Sequence, residues 1–363
     1  MTMLRRNGAP WRHLVTSLFA VLLAPWLLRA QVPAPPVAPA APAAPATAVE
    51  RPFLWRLEGP TPNYLFGTIH LPDERVTTLG PSVQAALDEA TALYTEIPME
   101  LGELMQAQSR TMLPKGTTLR DRIGDELYDR LATYVEGKGH KMAMLDRVQP
   151  WAAATQLMLL DQMKEMALRQ PLDMQLYSGA KKQKKQVGGL ETLDEQLAVF
   201  GGLTDGEQTS LLRAMLDQAI DYEAKGIRPV EQLLQLYLRG DEAAIDQLMN
   251  EYPMGDEKLR AKLMQRLLAD RNWRMADRIV RLMQEHPDRV HFFAVGAAHY
   301  SGEDGLLRML AARGYQLTRL GDDPAVVRQR EQQALDAEIA RLRAALAALE
   351  ARRSRLQPAG GVR

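Results

Sequence analysis

The chain has 363 residues, with 45 Lys and Arg against 45 Asp and Glu, six His and no Cys. Balanced charge offers no basic surplus for nucleic acid. The absence of Cys excludes disulfides, thiolate zinc sites, iron–sulfur clusters, a Cys nucleophile and a lipidated Cys, so a catalytic metal must be held by His and carboxylates.

Arg5, Arg6 and Arg12 precede an apolar run from Leu14 to Leu28, and Ala30 closes the segment. A basic start, a short apolar stretch and a small residue describe a secretory signal peptide, with cleavage near Ala30. The run is short for a membrane span of about 20 residues and is interrupted by Pro25. The expected location is periplasmic or secreted, with membrane attachment only through an uncleaved leader. Removing Arg5, Arg6, Arg12 and Arg29 leaves a mildly acidic chain. Residues 31–50 are mostly Pro and Ala, a spacer that cannot build a core.

The folded part is expected over residues 51–321. Phe53–Leu57 and Tyr64–Ile69 flank a turn-rich insert and read as a hairpin. A helix is expected from Ser82, acting as its cap, to Thr91, followed by a strand over Ala92–Ile97. From about residue 100 to 285 the pattern is helical, broken by a strand-like Val187–Glu191. Thr192 and Glu195 have capping-box spacing. Arg289–Val295 reads as a buried strand and Tyr315–Leu320 as a strand at the sheet edge. The fold class is α/β, with a mostly parallel central sheet, a large helical insertion and a C-terminal coiled-coil-like helix. In that helix, over 325–357, Leu335, Ile339, Leu342, Leu346 and Leu349 form a heptad stripe. It fits a helix packed on its own domain or a homodimer.

Two segments share one form: a strand, then Gly-x-x-His, at Gly67–His70 and Gly296–His299. Glycine permits a sharp turn or close ligand approach, and the imidazole is delivered at the carboxyl edge of the sheet, where α/β proteins bind ligands. Glu96 and Glu191 also end strands. Each could ligate a metal, act as a base or cap a helix. Two His and a carboxylate commonly hold Zn²⁺, Mn²⁺ or Fe²⁺.

Gly67-Thr68-Ile69-His70, Glu96, Gly189-Leu190-Glu191-Thr192 with Gln196, Arg271-Asn272 and Gly296-Ala297-Ala298-His299 together resemble the TraB/GumN/Tiki family. The resemblance runs from about Phe53 to Leu320. It implies a metal-dependent hydrolase-like site on a core related to erythromycin esterase. Tiki members are metalloproteases, and other members are bacterial pheromone-shutdown proteins. On this chain, it implies metal ligands His70, Glu96 and His299; Glu191 matches the pattern too, without an implied role, and is the candidate base. Gly67, Arg271, Asn272 and Gly296 would face the substrate, a peptide or small molecule. The expected cofactor is a divalent metal, Mn, Co or Zn.

Plainer readings stand beside these. His70 and His299 could be structural histidines at strand ends. Glu191 could cap its helix, and Arg266, Arg271, Arg274 and Arg278 could form a solvated face. Pro72-Asp73 reads as a turn, and His291 as facing the side of its strand opposite Phe292. The cleft could also bind a ligand without turnover.

Overall fold

The computed structural model describes residues 51–251 and 254–321, with scattered positions between 332 and 346. The leader and the Pro/Ala spacer lie outside the described residues.

β1 (Leu54–Leu57) and β2 (Asn63–Thr68) form the expected hairpin, with Leu54 opposite Phe66 and Leu57 opposite Asn63. β2 pairs in parallel with β5 (His291–Gly296), which pairs in parallel with β3 (Ala92–Thr95). β4 (Gln186–Gly189) extends the sheet beyond β3, and β6 (Leu317–Leu320) pairs antiparallel with β1. The order is β4-β3-β5-β2-β1-β6, and only β1 runs against the rest. The sheet is therefore mostly parallel and the fold is α/β.

β5 sits at the centre and is buried on both faces, which is why Phe292–Val295 reads as an apolar run. Phe292 and Ala294 pack with Val83, Ala86 and Leu87 of the helix Pro81–Glu89, and with Leu172 and Leu176 of the helix Leu172–Lys182. Phe293 and Val295 face the larger core, which holds Phe53, Trp55 and most of the helical run. That run extends from Leu101 to Glu285, with β4 set inside it.

The helix expected to be capped by Ser82 begins one residue earlier. Pro81 opens it and Gly80 stands at the cap without a side-chain bond. A proline at the first helical position loses nothing, because its missing N–H has no intrahelical acceptor there. Thr192 and Glu195 do form the reciprocal capping box. Asp73 caps the short helix Glu74–Thr77 and binds Arg75, the plain turn reading of that segment.

Gly67, the penultimate residue of β2, lies at a crowded point. A Cβ there would lie 2.6 Å from Phe53 Cβ and 3.2 Å from Ala297 Cα. The second contact is backbone and cannot swing aside. Gly67→Ala is expected to destabilise the fold by about 1–3 kcal/mol in chemical denaturation; an unchanged midpoint would refute this.

The segment Gly321–Arg363 clusters as a separate unit. Its described positions between 332 and 346, among them Leu335, Ile339, Leu342 and Leu346, are helical, and the three leucines are exposed. The rest of the heptad stripe, Leu349 included, lies outside the described residues.

Candidate functional site

The carboxyl ends of β2, β3 and β5 bring three sequence-predicted residues together. His70 follows β2, Glu96 follows β3, and His299 ends the single-turn 3₁₀ helix Ala297–His299 behind β5. All three are buried. His70 Nε2 lies 3.6 Å and His299 Nε2 3.8 Å from the same oxygen, Glu96 Oε1.

The other face of each imidazole is held. His70 Nδ1 lies 2.6 Å from Asp173 Oδ2, and Thr68 Oγ1 donates to Asp173 Oδ1. His299 Nδ1 lies 2.5 Å from Asn272 Oδ1, while Asn272 Nδ2 donates to the Asp304 carbonyl. That second bond settles which way the amide points, so Nδ1 of His299 carries the proton and Nε2 presents its lone pair. Both Nε2 atoms are buried without a hydrogen-bond partner.

Glu96 is fully engaged. Oε1 accepts from the Gly296 N–H at 2.8 Å. Oε2 accepts from Gln196 Nε2 at 3.1 Å and Arg271 Nη2 at 2.5 Å. Arg271 also donates through Nε to Glu191 Oε2 at 2.7 Å, and Arg274 donates to Glu191 Oε1 at 3.0 Å.

Burial and charge set the protonation states. Burial by itself would raise the Glu96 pKa, but Arg271 and the two histidines hold it well below the usual carboxylate range. Burial by itself would lower His70, yet Asp173 overrides it and lifts the imidazole to about 10. His299 has no carboxylate on Nδ1, and burial together with Arg271 depresses it to about 3. Counted formally, Asp173, Glu96 and Glu191 exceed Arg271 and Arg274 by one negative charge. A proton on His70 or a cation is needed to balance it.

The arginine face is packed on protein oxygens, with Arg271 buried and Arg266, Arg274 and Arg278 partly exposed. Arg271 is 1 % exposed, and Arg266, Arg271, Arg274 and Arg278 all reach carbonyl or carboxylate oxygens of Leu190, Glu191, Glu195, Val199 or Glu96. A π-helical turn, Gln265–Ala269, precedes Asp270–Glu285 and brings Arg271 and Asn272 onto its buried side. Such turns insert one residue and re-aim those that follow.

Of the remaining predicted residues, Gly296 borders the centre. A Cβ there would stand 2.9 Å from Glu96 Oε1, 3.6 Å from His70 Nε2 and 3.7 Å from His299 Cδ2. Gly67 packs against Phe53 and Ala297. Glu191 lies behind Arg271, with both oxygens taken by arginines. His291 lies on the Phe293 side of β5, stacked on that ring and bound to Asn63. Asp173 was not found by sequence reasoning; an acid two residues after Pro171 reads as a first-turn helix residue.

Among the described residues, no three His, Asp or Glu side chains form a ready-made ion cage. The donor set still fits a metal. Two ligands of one tetrahedral ion stand about 3.4 Å apart, and the two His–Glu96 separations are a few tenths of an ångström wider. Metal-binding histidines typically have Nδ1 tied to a carboxylate or carbonyl oxygen and Nε2 free, as both do here.

The family model described as the TraB/PrgY/gumN family matches residues 53–319. The chain belongs to the TraB/PrgY/gumN family. It is 27% identical over 311 residues to Metalloprotease TIKI1 of Danio rerio, covering 73% of this chain and 62% of that protein. Metalloprotease TIKI1 of Homo sapiens is 26% identical over 315 residues, covering 73% of this chain and 61% of its own length. The chain thus spans about three fifths of these TIKI relatives. Uncharacterized protein YbaP of Shigella flexneri is 26% identical over 257 residues, which is 70% of this chain and 89% of that protein. No solved structure matches the chain.

Proposed function

We propose that this TraB/PrgY/gumN member is an exported, metal-dependent hydrolase of the metallopeptidase type, with His70, Glu96 and His299 as ligands. The observation that carries the reading is the pair of partnerless, buried Nε2 atoms aimed at one Glu96 oxygen. The metalloprotease names of the TIKI relatives support the same class of chemistry. The leader supports export.

When bound, a divalent ion would supply Lewis-acid polarisation of a scissile carbonyl. The protein's own residues prepare the place. Asp173 and Asn272 fix the imidazole orientations, the Gly296 N–H fixes the Glu96 oxygen, and Arg271 keeps that carboxylate ionised. Elemental analysis of protein from its native compartment, followed by a peptide-library cleavage assay, tests the proposal. A metal-free preparation that cannot be loaded with Mn²⁺, Co²⁺ or Zn²⁺ would overturn it.

Gly296→Ala is a sharper probe, because its Cβ enters the space bordered by all three ligands. Metal affinity measured by calorimetry is expected to fall about tenfold or more, the scale of losses at metal-site neighbours. Equal affinity in variant and wild type would count against the site.

One observation favours a second reading, ligand sequestration without turnover. Glu191, the expected base, has both oxygens occupied by arginines. In that case Glu96→Gln leaves ligand binding intact and no cleavage is seen with either protein.

A further inference from the structure

A groove of about 620 Å³ opens among the helices beside the site, and its wall begins at Leu71 and Asp73, immediately past His70. It shares a second element with the site. The helix Pro229–Arg239 lines the groove with Val230, Glu231 and Leu234. One turn further on, Tyr237 donates to the Gly67 carbonyl at the end of β2. The groove is thus joined to the strand end that delivers His70 through Leu71 and through this helix. Its size is within the range of specific ligand pockets, about 300–1,000 Å³.

The lining includes the apolar side chains of Leu157, Met158, Met215, Ile227 and Leu234. Methionine adapts its shape to varied apolar partners. Two charged clusters belong to it, and their balance differs. In one, Arg75 bridges Asp73 and Glu231 at 2.8 Å each, and Arg228 adds a second cation near Glu231. That cluster is balanced. In the other, a single Lys138 lies 3.3 Å from Asp161 and 3.5 Å from Glu223. Both carboxylates are more than half exposed, and one negative charge is in excess there.

We propose that this groove is a peptide-binding subsite that takes an apolar segment bearing one Lys or Arg, with the basic side chain against Asp161 and Glu223. As the specificity groove of the hydrolase it rests on the metallopeptidase reading, but peptide binding in it needs no metal. An acidic rim charge discriminates between partners of opposite sign.

The test uses the full chain with excess EDTA and two fluorescein-labelled hexapeptides, Lys-Leu-Ala-Leu-Ala-Leu and Glu-Leu-Ala-Leu-Ala-Leu, read by anisotropy. The expected result is saturable binding with about tenfold preference for the lysine peptide, the scale of one charge contact near a protein surface. Glu223→Lys should reverse that preference. Ala219→Trp, which fills the groove from its lining, should abolish binding of both peptides, with circular dichroism confirming the fold. Equal affinity for the two peptides, absence of saturation, or unchanged preference in Glu223→Lys would overturn the proposal. Because EDTA is present throughout, failure here is separate from failure of the metal site.

Discussion

Replacing Arg271 with Met is expected to destabilise the fold by about 3–5 kcal/mol, the usual cost of leaving a buried charge without its partner. The side chain is 1 % exposed and answers two buried carboxylates, Glu96 and Glu191. Methionine fills much of the space but leaves Glu96 without its guanidinium and Glu191 with Arg274 alone. Arg271→Lys should recover little, because one ammonium cannot reproduce the fork that holds Nε on Glu191 and Nη2 on Glu96. A useful control is Arg274→Ala, whose partner Glu191 keeps Arg271 and whose own side chain is 29% exposed; about 1 kcal/mol or less is expected there. The double variant Arg271→Met with Glu191→Gln should be less unstable than the sum of its parts, since the second change removes a buried carboxylate that has lost one of its two arginines. Urea denaturation of the wild type, these four variants and Glu191→Gln alone checks this. A loss below about 1 kcal/mol in Arg271→Met would place the arginine outside the load it is assigned here, the level of an ordinary surface pair.

The parts of this site that could be read in the sequence are those with a local signature. Gly67–His70 and Gly296–His299 each follow an apolar strand, so their placement at one sheet edge required only the strand assignments. Glu96 was visible for the same reason. The support behind them was not. Asp173 meets His70 across 103 residues of sequence, and nothing near Asp173 distinguishes it from an acid that stabilises a helix start. The arginines illustrate a different limit. Their spacing over 266–278 describes one helical side, but periodicity cannot say whether that side meets water or the carboxylates of a segment some 80 residues earlier. The structure puts it on the segment from Leu190 to Val199, and the π-helical turn that aims Arg271 has no sequence mark. The mostly parallel sheet was legible because β5 is apolar from Phe292 to Val295 and the helical run between β3 and β5 is long enough for crossovers.

His70→Ala and His299→Ala are each expected to abolish stoichiometric divalent-metal binding, and Asp173→Asn and Asn272→Leu to weaken it about 10–100-fold by freeing the imidazole each one orients. Protonation gives the prediction a second readout. In metal-free protein the folded His70 pKa, about 10, lies above its unfolded value of 6.5. Its stabilising contribution is therefore complete below pH 6.5 and lost as pH rises through 10. The folded His299 pKa, about 3, lies below 6.5, so the unfolded chain binds the extra proton and stability is lost as pH falls from 6.5 toward 3. Each limb has a slope of at most about 1.4 kcal/mol per pH unit, the value for one proton. Comparing wild type with His70→Ala by denaturation isolates the upper limb. A cation on His70 Nε2 takes the place of that proton, so metal binding near pH 7 should release about one proton, read as a dependence of the calorimetric heat on buffer ionisation. Saturating metal should also flatten the upper limb. Metal that bound without releasing a proton, or that left the upper limb unchanged, would be sitting elsewhere on the protein, and the excess negative charge around Glu96 would then be balanced by a protonated His70 alone.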